Sequence, residues 1–234
     1  MSRKTVSGNF DDVILIVPAW NEGKVIASTI ADIPADFPNI VVITDGSTDD
    51  TRERALETRA MVVSHATNLG QGAALQTGLD YALQFPQFRY FVTFDADGQH
   101  NIEDVRHMLE VLQEQQLDVV LGSRFLGSAA NITRTKKMIL HAAIRFTNVF
   151  SRVALTDTHN GLRVFTRDFA SKINISMPGM AHTSEIIDKI GNGGWNYAEV
   201  PVTIRYSDYS VGKGQSMLNS INILADLLLN RISK

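Results

Sequence analysis

Short apolar runs alternate with amphipathic stretches through the first half of the chain. Val13–Val17 is rich in β-branched residues and stops at Pro18. Ile40–Thr44, Met61–Ser64, Tyr90–Phe94 and Asp118–Gly122 follow as runs of similar length. Continuous apolar runs this short suit strands covered on both faces. Between them lie helix-like stretches at Glu22–Asp32, Asp49–Ala60, Gly70–Gln84 and Ile102–Gln115. Ser47, Thr48 and Asp49 offer N-cap chemistry to the second helix and Asn101 to the fourth. The repeat predicts β-α-β units, and so an α/β fold with a mostly parallel central sheet and helices on both faces. Such sheets bind ligands beyond the C-terminal strand ends. The polar clusters Trp20-Asn21-Glu22, Asp45-Gly46-Ser47 and Asp95-Ala96-Asp97 fall there.

The second half is less regular. Lys136–Val153 has apolar residues near helical spacing, and strand-like segments follow at Leu162–Thr166 and Tyr197–Arg205. A helix is expected over Ser184–Ile190 and a last one from about Met217 to Arg231, after a Gly-rich loop at Ser210–Gln215.

Composition narrows the chemistry. The 234 residues include no Cys, which excludes a disulfide framework, a Cys-ligated metal and thiol catalysis. The formal net charge is -3, without the basic excess of a nucleic-acid binder, so no nucleic-acid partner is expected. No stretch approaches the roughly 20 apolar residues of a membrane span. The segment MSRKTVSGNF lacks a signal-peptide core, so a cytoplasmic location is expected.

Asp95 and Asp97 stand one residue apart after an apolar strand, a spacing that lets both carboxylates reach a hard divalent cation such as Mg²⁺ or Mn²⁺. A polar turn capping a helix explains them equally well. Asp45 is placed to bind a base or ribose, Trp20 to stack on a base, and Asn21 and Glu22 to bind beside it. Taken singly, each is better read as a cap or a packed side chain. Arg124 is a candidate clamp for phosphate or sugar, and Lys213, between two glycines, a cation able to close over a diphosphate. Asp157 and Glu185 are candidate general bases for an acceptor hydroxyl. Asn68–Ala74 places small residues at a helix start, but it carries neither a P-loop nor a dinucleotide fingerprint.

Seven motifs in order, VPAWNE, TDGSTDDT, NLGQGAA, FDADGQH, GSRF, DTHNGLRVF and EVPVTIRY, resemble family 2 glycosyltransferases, nearest the dolichol-phosphate mannose synthase-like branch. They run from Val17 to Tyr206. The resemblance implies a GT-A, Rossmann-like fold filling 1–234 as a single domain. About 1–125 would be its nucleotide-sugar half and about 126–234 its acceptor half, with an amphipathic C-terminal helix. It implies inverting transfer of a sugar from a nucleotide-sugar donor, assisted by Mg²⁺ or Mn²⁺, to a lipid-linked glycan, polysaccharide or polyprenyl phosphate. By match, Pro18, Trp20, Glu22 and Asp45 would hold the nucleoside. Asp95, Asp97 and Gln99 would serve the metal and diphosphate. Arg124, Asp157, Gly161, Arg163 and Glu185 would lie near sugar and acceptor. Trp20, Thr44, Gln71, Asn160 and Leu162 depart from the common residues. Of the phosphate-holding Arg and Lys expected six and twelve residues after Pro201, Lys213 is present, and Ser207 stands in place of the Arg. Arg205, two residues earlier on the same strand face, is its candidate substitute.

Two other functions compete. A nucleotidyltransferase making a nucleotide sugar would need a Gly-rich, basic first-strand loop, which is missing. A non-catalytic nucleotide-sugar- or glycan-binding subunit would be expected to lose carboxylates, yet Asp45, Asp95 and Asp97 are all present. The basic, amphipathic 136–153 stretch and the last helix are each read first as core packing or a homo-oligomer interface. The alternative is peripheral contact with the inner face of the plasma membrane.

Overall fold

In the computed structural model, residues 8–129, 148, 151–179 and 181–205 are described. In chain order they form β1 (Val13–Ala19), α1 (Ile26–Ala31), β2 (Ile40–Asp45), α2 (Thr51–Leu56), β3 (Met61–His65), α3 (Gln71–Leu83) and β4 (Tyr90–Thr93). Then come α4 (Ile102–Glu114), β5 (Val119–Ala129), β6 (Arg163–Thr166), α5 (Arg167–Lys172), α6 (His182–Gly193) and β7 (Tyr197–Ile204).

The strands make one sheet in the order β3-β2-β1-β4-β6-β5-β7. All neighbours are parallel except β6, which runs antiparallel to β4 and to β5. Alternation along β1 feeds two cores. Val13, Leu15 and Val17 pack with Ile26, Ile30, Val105 and Leu109 on one face. Ile14 and Ile16 pack with Leu75, Leu79, Phe169 and Ile186 on the other. Each fully buried aliphatic side chain contributes about 1.5–3 kcal/mol, so a doubly covered strand such as β1 fixes its own register. In α4 the buried Val105, Met108, Leu109 and Leu112 follow i, i+3, i+4, i+7 spacing.

Three details differ from the expectations. Pro18 lies inside β1 rather than ending it, because β4 pairs only as far as Ile16 while β2 continues to Ala19. The missing N–H therefore costs no ladder bond to β4. Helices α1 and α2 start later than expected, since the backbone of Glu22 and Gly23 bonds to Thr51 and Asp49 instead. Strand β6 is followed directly by α5, capped by Thr166, which periodicity did not indicate. The expected helix over Lys136–Val153 lies largely outside the described residues, and the 210–215 loop and the last helix lie wholly outside them. Among the described residues no helix is long and apolar enough to cross a membrane.

Candidate functional site

The first four strands end on one rim. At the end of β1, Trp20 is 50% exposed and is followed by Asn21 in a left-handed conformation (φ 54°). The loop after β1 is stitched to the loop after β2. Asn21 N–H donates to Ser47 Oγ (3.1 Å), Thr48 N–H to Asn21 Oδ1 (2.9 Å), and Glu22 N–H to Thr51 Oγ1 (2.7 Å). Asp49 accepts from the N–H groups of Gly23 and Thr51, and these outweigh burial and hold its carboxyl below the usual range. Trp20 and Glu22 thus sit on a fixed platform.

Asp45 holds the next loop. Its side chain is almost fully buried and accepts from Leu69 N–H (2.8 Å) and Gly70 N–H (2.8 Å). Its Oδ1 also lies 2.7 Å from His65 Nδ1, whose Nε2 reaches Thr77 Oγ1 at 2.9 Å. The carboxylate expected at the base or ribose is therefore engaged in fixing the loop that leads into α3. The reason is local: β3 ends at His65, beside Asp45 in register, and the loop turns back over both.

Next along the rim is the Asp95–His100 loop. Asp95 Oδ2 lies 2.9 Å from His100 Nε2, and its Oδ1 is 3.4 Å from Gln71 Nε2. Burial works against its charge, but His100 and the buried Arg163 prevail, and its carboxyl stays below the usual range. Asp97 goes the other way. Burial, then the Asp95 charge, push its carboxyl up to about 6, with Glu22 adding to the effect. Gln99 N–H donates to Asp97 Oδ1 (3.1 Å), and the Gln99 carbonyl accepts from Arg205 N–H (2.9 Å). That bond brings Arg205, at the end of β7, beside the acidic loop.

The turn before β6 closes the same end of the site. Because β6 runs backwards, it begins where its neighbours end. Arg124 on β5 grips Asp157 through its fork, and Asp157 N–H and Thr156 N–H donate to Glu199 on β7. Burial opposes the Asp157 charge, but Arg124 outweighs it and lowers its carboxyl. Gly161 backs directly onto Asp95: a Cβ there would collide with the carboxylate. Arg163 is fully buried and lowered to about 10 by that burial, with Asp95 and Asp157 pulling it back. Asn160 Oδ1 accepts from Leu162 N–H (2.8 Å), while its Nδ2 is buried with no partner among the described residues.

Glu185, on α6, is engaged by the 176–177 segment. It accepts from Ser176 N–H (2.9 Å), Met177 N–H (2.8 Å) and Ser176 Oγ (2.5 Å), and pairs with Lys189. Those bonds overcome burial and lower its carboxyl. The 176–179 segment that it holds packs on the start of α3. Gly72 N–H donates to Pro178 O (2.6 Å), and a Cβ at Gly72 would collide with Met177 O. The small residues at this helix start serve that close approach between segments.

The two candidate bases, Asp157 and Glu185, are both ion-paired, capped by backbone N–H groups and lowered, whereas a general base working near neutral pH is commonly tuned upward. Lys213 lies outside the described residues. His100 and His182 carried no role in the sequence reading. His182 is buried and pushed down to about 4 by that burial and by Arg163, so it is neutral at pH 7. The signal for His100 was its place five residues after Asp95; nothing in the sequence marked His182.

No trio of His, Cys, Asp or Glu among the described residues could hold a metal ion. Asp95 and Asp97 offer two crowded carboxylates, one of them raised by the other, with Gln99 two residues on. That donor set fits Mg²⁺ or Mn²⁺, which take one or two carboxylates and leave positions for water or phosphate.

The family model described as glycosyl transferase family 2 matches residues 14–173. A Methanocaldococcus jannaschii protein called uncharacterized is 32% identical over 96% of this chain and 94% of its own length. The UDP-N-acetylglucosamine–dolichyl-phosphate N-acetylglucosaminyltransferase of Methanococcus voltae is 27% identical over 95% of this chain and 97% of its own. Among solved structures, glucosyl-3-phosphoglycerate synthase from Mycobacterium tuberculosis, in complex with Mn²⁺, UDP and phosphoglyceric acid, is similar with a TM-score of 0.68 at 20% identity. The match covers 93% of this chain and 78% of that one. The sheet order and this likeness make the fold GT-A.

Proposed function

The chain belongs to glycosyl transferase family 2, on its dolichol-phosphate mannose synthase-like branch, and from that premise we propose that it transfers a sugar from a nucleotide sugar to a polyprenyl-type phosphate, with inversion. The observation that carries the choice of acceptor is the state of Asp157 and Glu185. Each is paired to a cation, capped by backbone N–H groups and lowered. A hydroxyl acceptor needs a base to take its proton. A phosphate monoester arrives ionised and needs none. A dolichyl phosphate in the name of the Methanococcus voltae relative supports the same reading.

The transfer is then an in-line displacement. A phosphate oxygen of the acceptor forms a bond to the anomeric carbon as the bond from that carbon to the nucleoside diphosphate breaks, and no proton changes hands. Trp20 and Glu22 on the rim, with Pro18 beneath, would hold the nucleoside, and Asp45 would act from behind by fixing the 65–70 loop. A bound Mg²⁺ or Mn²⁺ at Asp95, Asp97 and Gln99 would neutralise the departing diphosphate. Arg205 and Lys213 would be the cations that meet the phosphates. Such an acceptor would be met at a membrane surface, and the enzyme is placed there as a peripheral visitor on the cytoplasmic side. The chain would form one domain with donor and acceptor halves.

The test is a set of nucleotide sugars, led by UDP-N-acetylglucosamine, offered with Mn²⁺ and either a short polyprenyl phosphate or the matching polyprenol. Sugar should pass to the phosphate alone. Transfer to the alcohol or to a saccharide hydroxyl, with none to the phosphate, would overturn the proposal.

A further inference from the structure

His100 sits in the acidic loop but touches it from the protein side. Its side chain is 3% exposed and its ring packs edge-on to Phe94 at 5.4 Å between centroids. Nε2 lies 2.9 Å from Asp95 Oδ2, whereas Nδ1 is buried without a partner among the described residues. A buried N–H lacking an acceptor is costlier than a bare ring nitrogen, so the proton belongs on Nε2, where the carboxylate accepts it. The ring therefore claims one oxygen of Asp95. Gly161 closes the space behind the carboxylate, and the other oxygen, Oδ1, meets, among the described residues, the long approach of Gln71 Nε2 at 3.4 Å. The Asp95 side chain is 31% exposed, so one face of it remains open to the rim.

We propose that His100 is a positioning residue: by donating from Nε2 to Asp95 Oδ2 it locks the carboxylate in one rotamer and leaves Oδ1 as the single oxygen presented to a divalent cation. This rests on the metal reading given under the proposed function. A carboxylate held by one oxygen ligates with the other, and a partner that orients a ligand typically sets about 10- to 100-fold of metal affinity.

Mn²⁺ alone is the probe, titrated into the full chain and read by the electron paramagnetic resonance signal of the free ion, with melting temperature as the check on folding. His100→Phe keeps the edge contact with Phe94 and removes the donor; it should bind Mn²⁺ about tenfold or more weakly. His100→Gln places an amide donor near the Nε2 position and should come within about threefold of wild type. His100→Asn, whose amide is too short, should behave as His100→Phe, and it carries the comparison if the Phe variant does not fold. Wild-type affinity in a folded His100→Phe or His100→Asn overturns the proposal, as does equal weakening of the Gln variant. Asp97→Asn separates the two readings. If wild type binds Mn²⁺ no better than Asp97→Asn, the metal site itself fails and the role of His100 fails with it. If Asp97→Asn alone loses the ion, only the role of His100 is overturned.

Discussion

Arg124 and Asp157 close on each other with both ends of the guanidinium fork, Nε to Oδ2 at 2.7 Å and Nη2 to Oδ1 at 2.9 Å, while the backbone N–H of Arg124 adds a third bond at 3.0 Å. The Asp157 side chain is 1% exposed. Losing one partner of a buried pair costs about 3–5 kcal/mol, so Asp157→Asn should be destabilised by roughly 3 kcal/mol at pH 7 in denaturant unfolding. The folded-state carboxyl is lowered from 3.8. Its contribution is thus full above about pH 4 and is lost as pH falls through the folded value below that. The gap between wild type and Asp157→Asn should narrow below pH 4; an unchanged gap would contradict the pairing.

Glu185→Gln separates a holder from a base. Loss of a general base lowers kcat by about 10²–10⁴-fold. Here the substitution should lower the melting temperature, because one amide oxygen replaces two carboxylate oxygens that serve Ser176 and Met177. It should leave kcat within about tenfold of wild type. Steady-state kinetics beside a melting curve tests both halves.

Asp97→Asn should stabilise the metal-free protein while ending metal-supported transfer. Folding raises this carboxyl from 3.8 to about 6. The folded state therefore keeps its proton longer, and stability falls as pH rises from about 4 to about 6. Removing the charge should raise the melting temperature by several degrees above pH 6 in EDTA and by almost nothing at pH 4. A lower melting temperature at pH 8 would refute the crowding of Asp95 and Asp97.

Gly161→Ala puts a methyl group into the Asp95 carboxylate. Since Thr93 Oγ1 anchors the Gly161 carbonyl at 2.5 Å, the backbone cannot easily withdraw, and Asp95 should move instead. Mn²⁺ affinity should fall by about tenfold or more, beyond what the loss of melting temperature accounts for. Retained affinity would show that the turn yields and the carboxylate does not.

Much of the scaffold was written in local pattern. The β1–β5 strands, the amphipathic α4 and the rim of polar clusters follow from runs, spacing and caps within a few residues. Strand β6 was legible as a strand but not as an antiparallel one, since its direction depends on which neighbours it meets. The duties of the carboxylates were least legible. Asp45, Asp157 and Glu185 look alike in sequence to Asp95 and Asp97. Their partners lie 20 or more residues away for Asp45, 33 away at Arg124 for Asp157, and nine and eight away at Ser176 and Met177 for Glu185. A carboxylate that caps and one that ligates differ only in what the fold brings to them.

The β4–β6 ladder also governs how the molecule can move. Tyr90 to Thr93 pair with Thr166 to Arg163, so a strand from the second half of the sequence is built into the middle of the sheet that the first half begins. A hinge between the two halves would have to tear that ladder open. Any rearrangement around substrate is therefore expected in segments off the sheet, with the seven strands moving as one body.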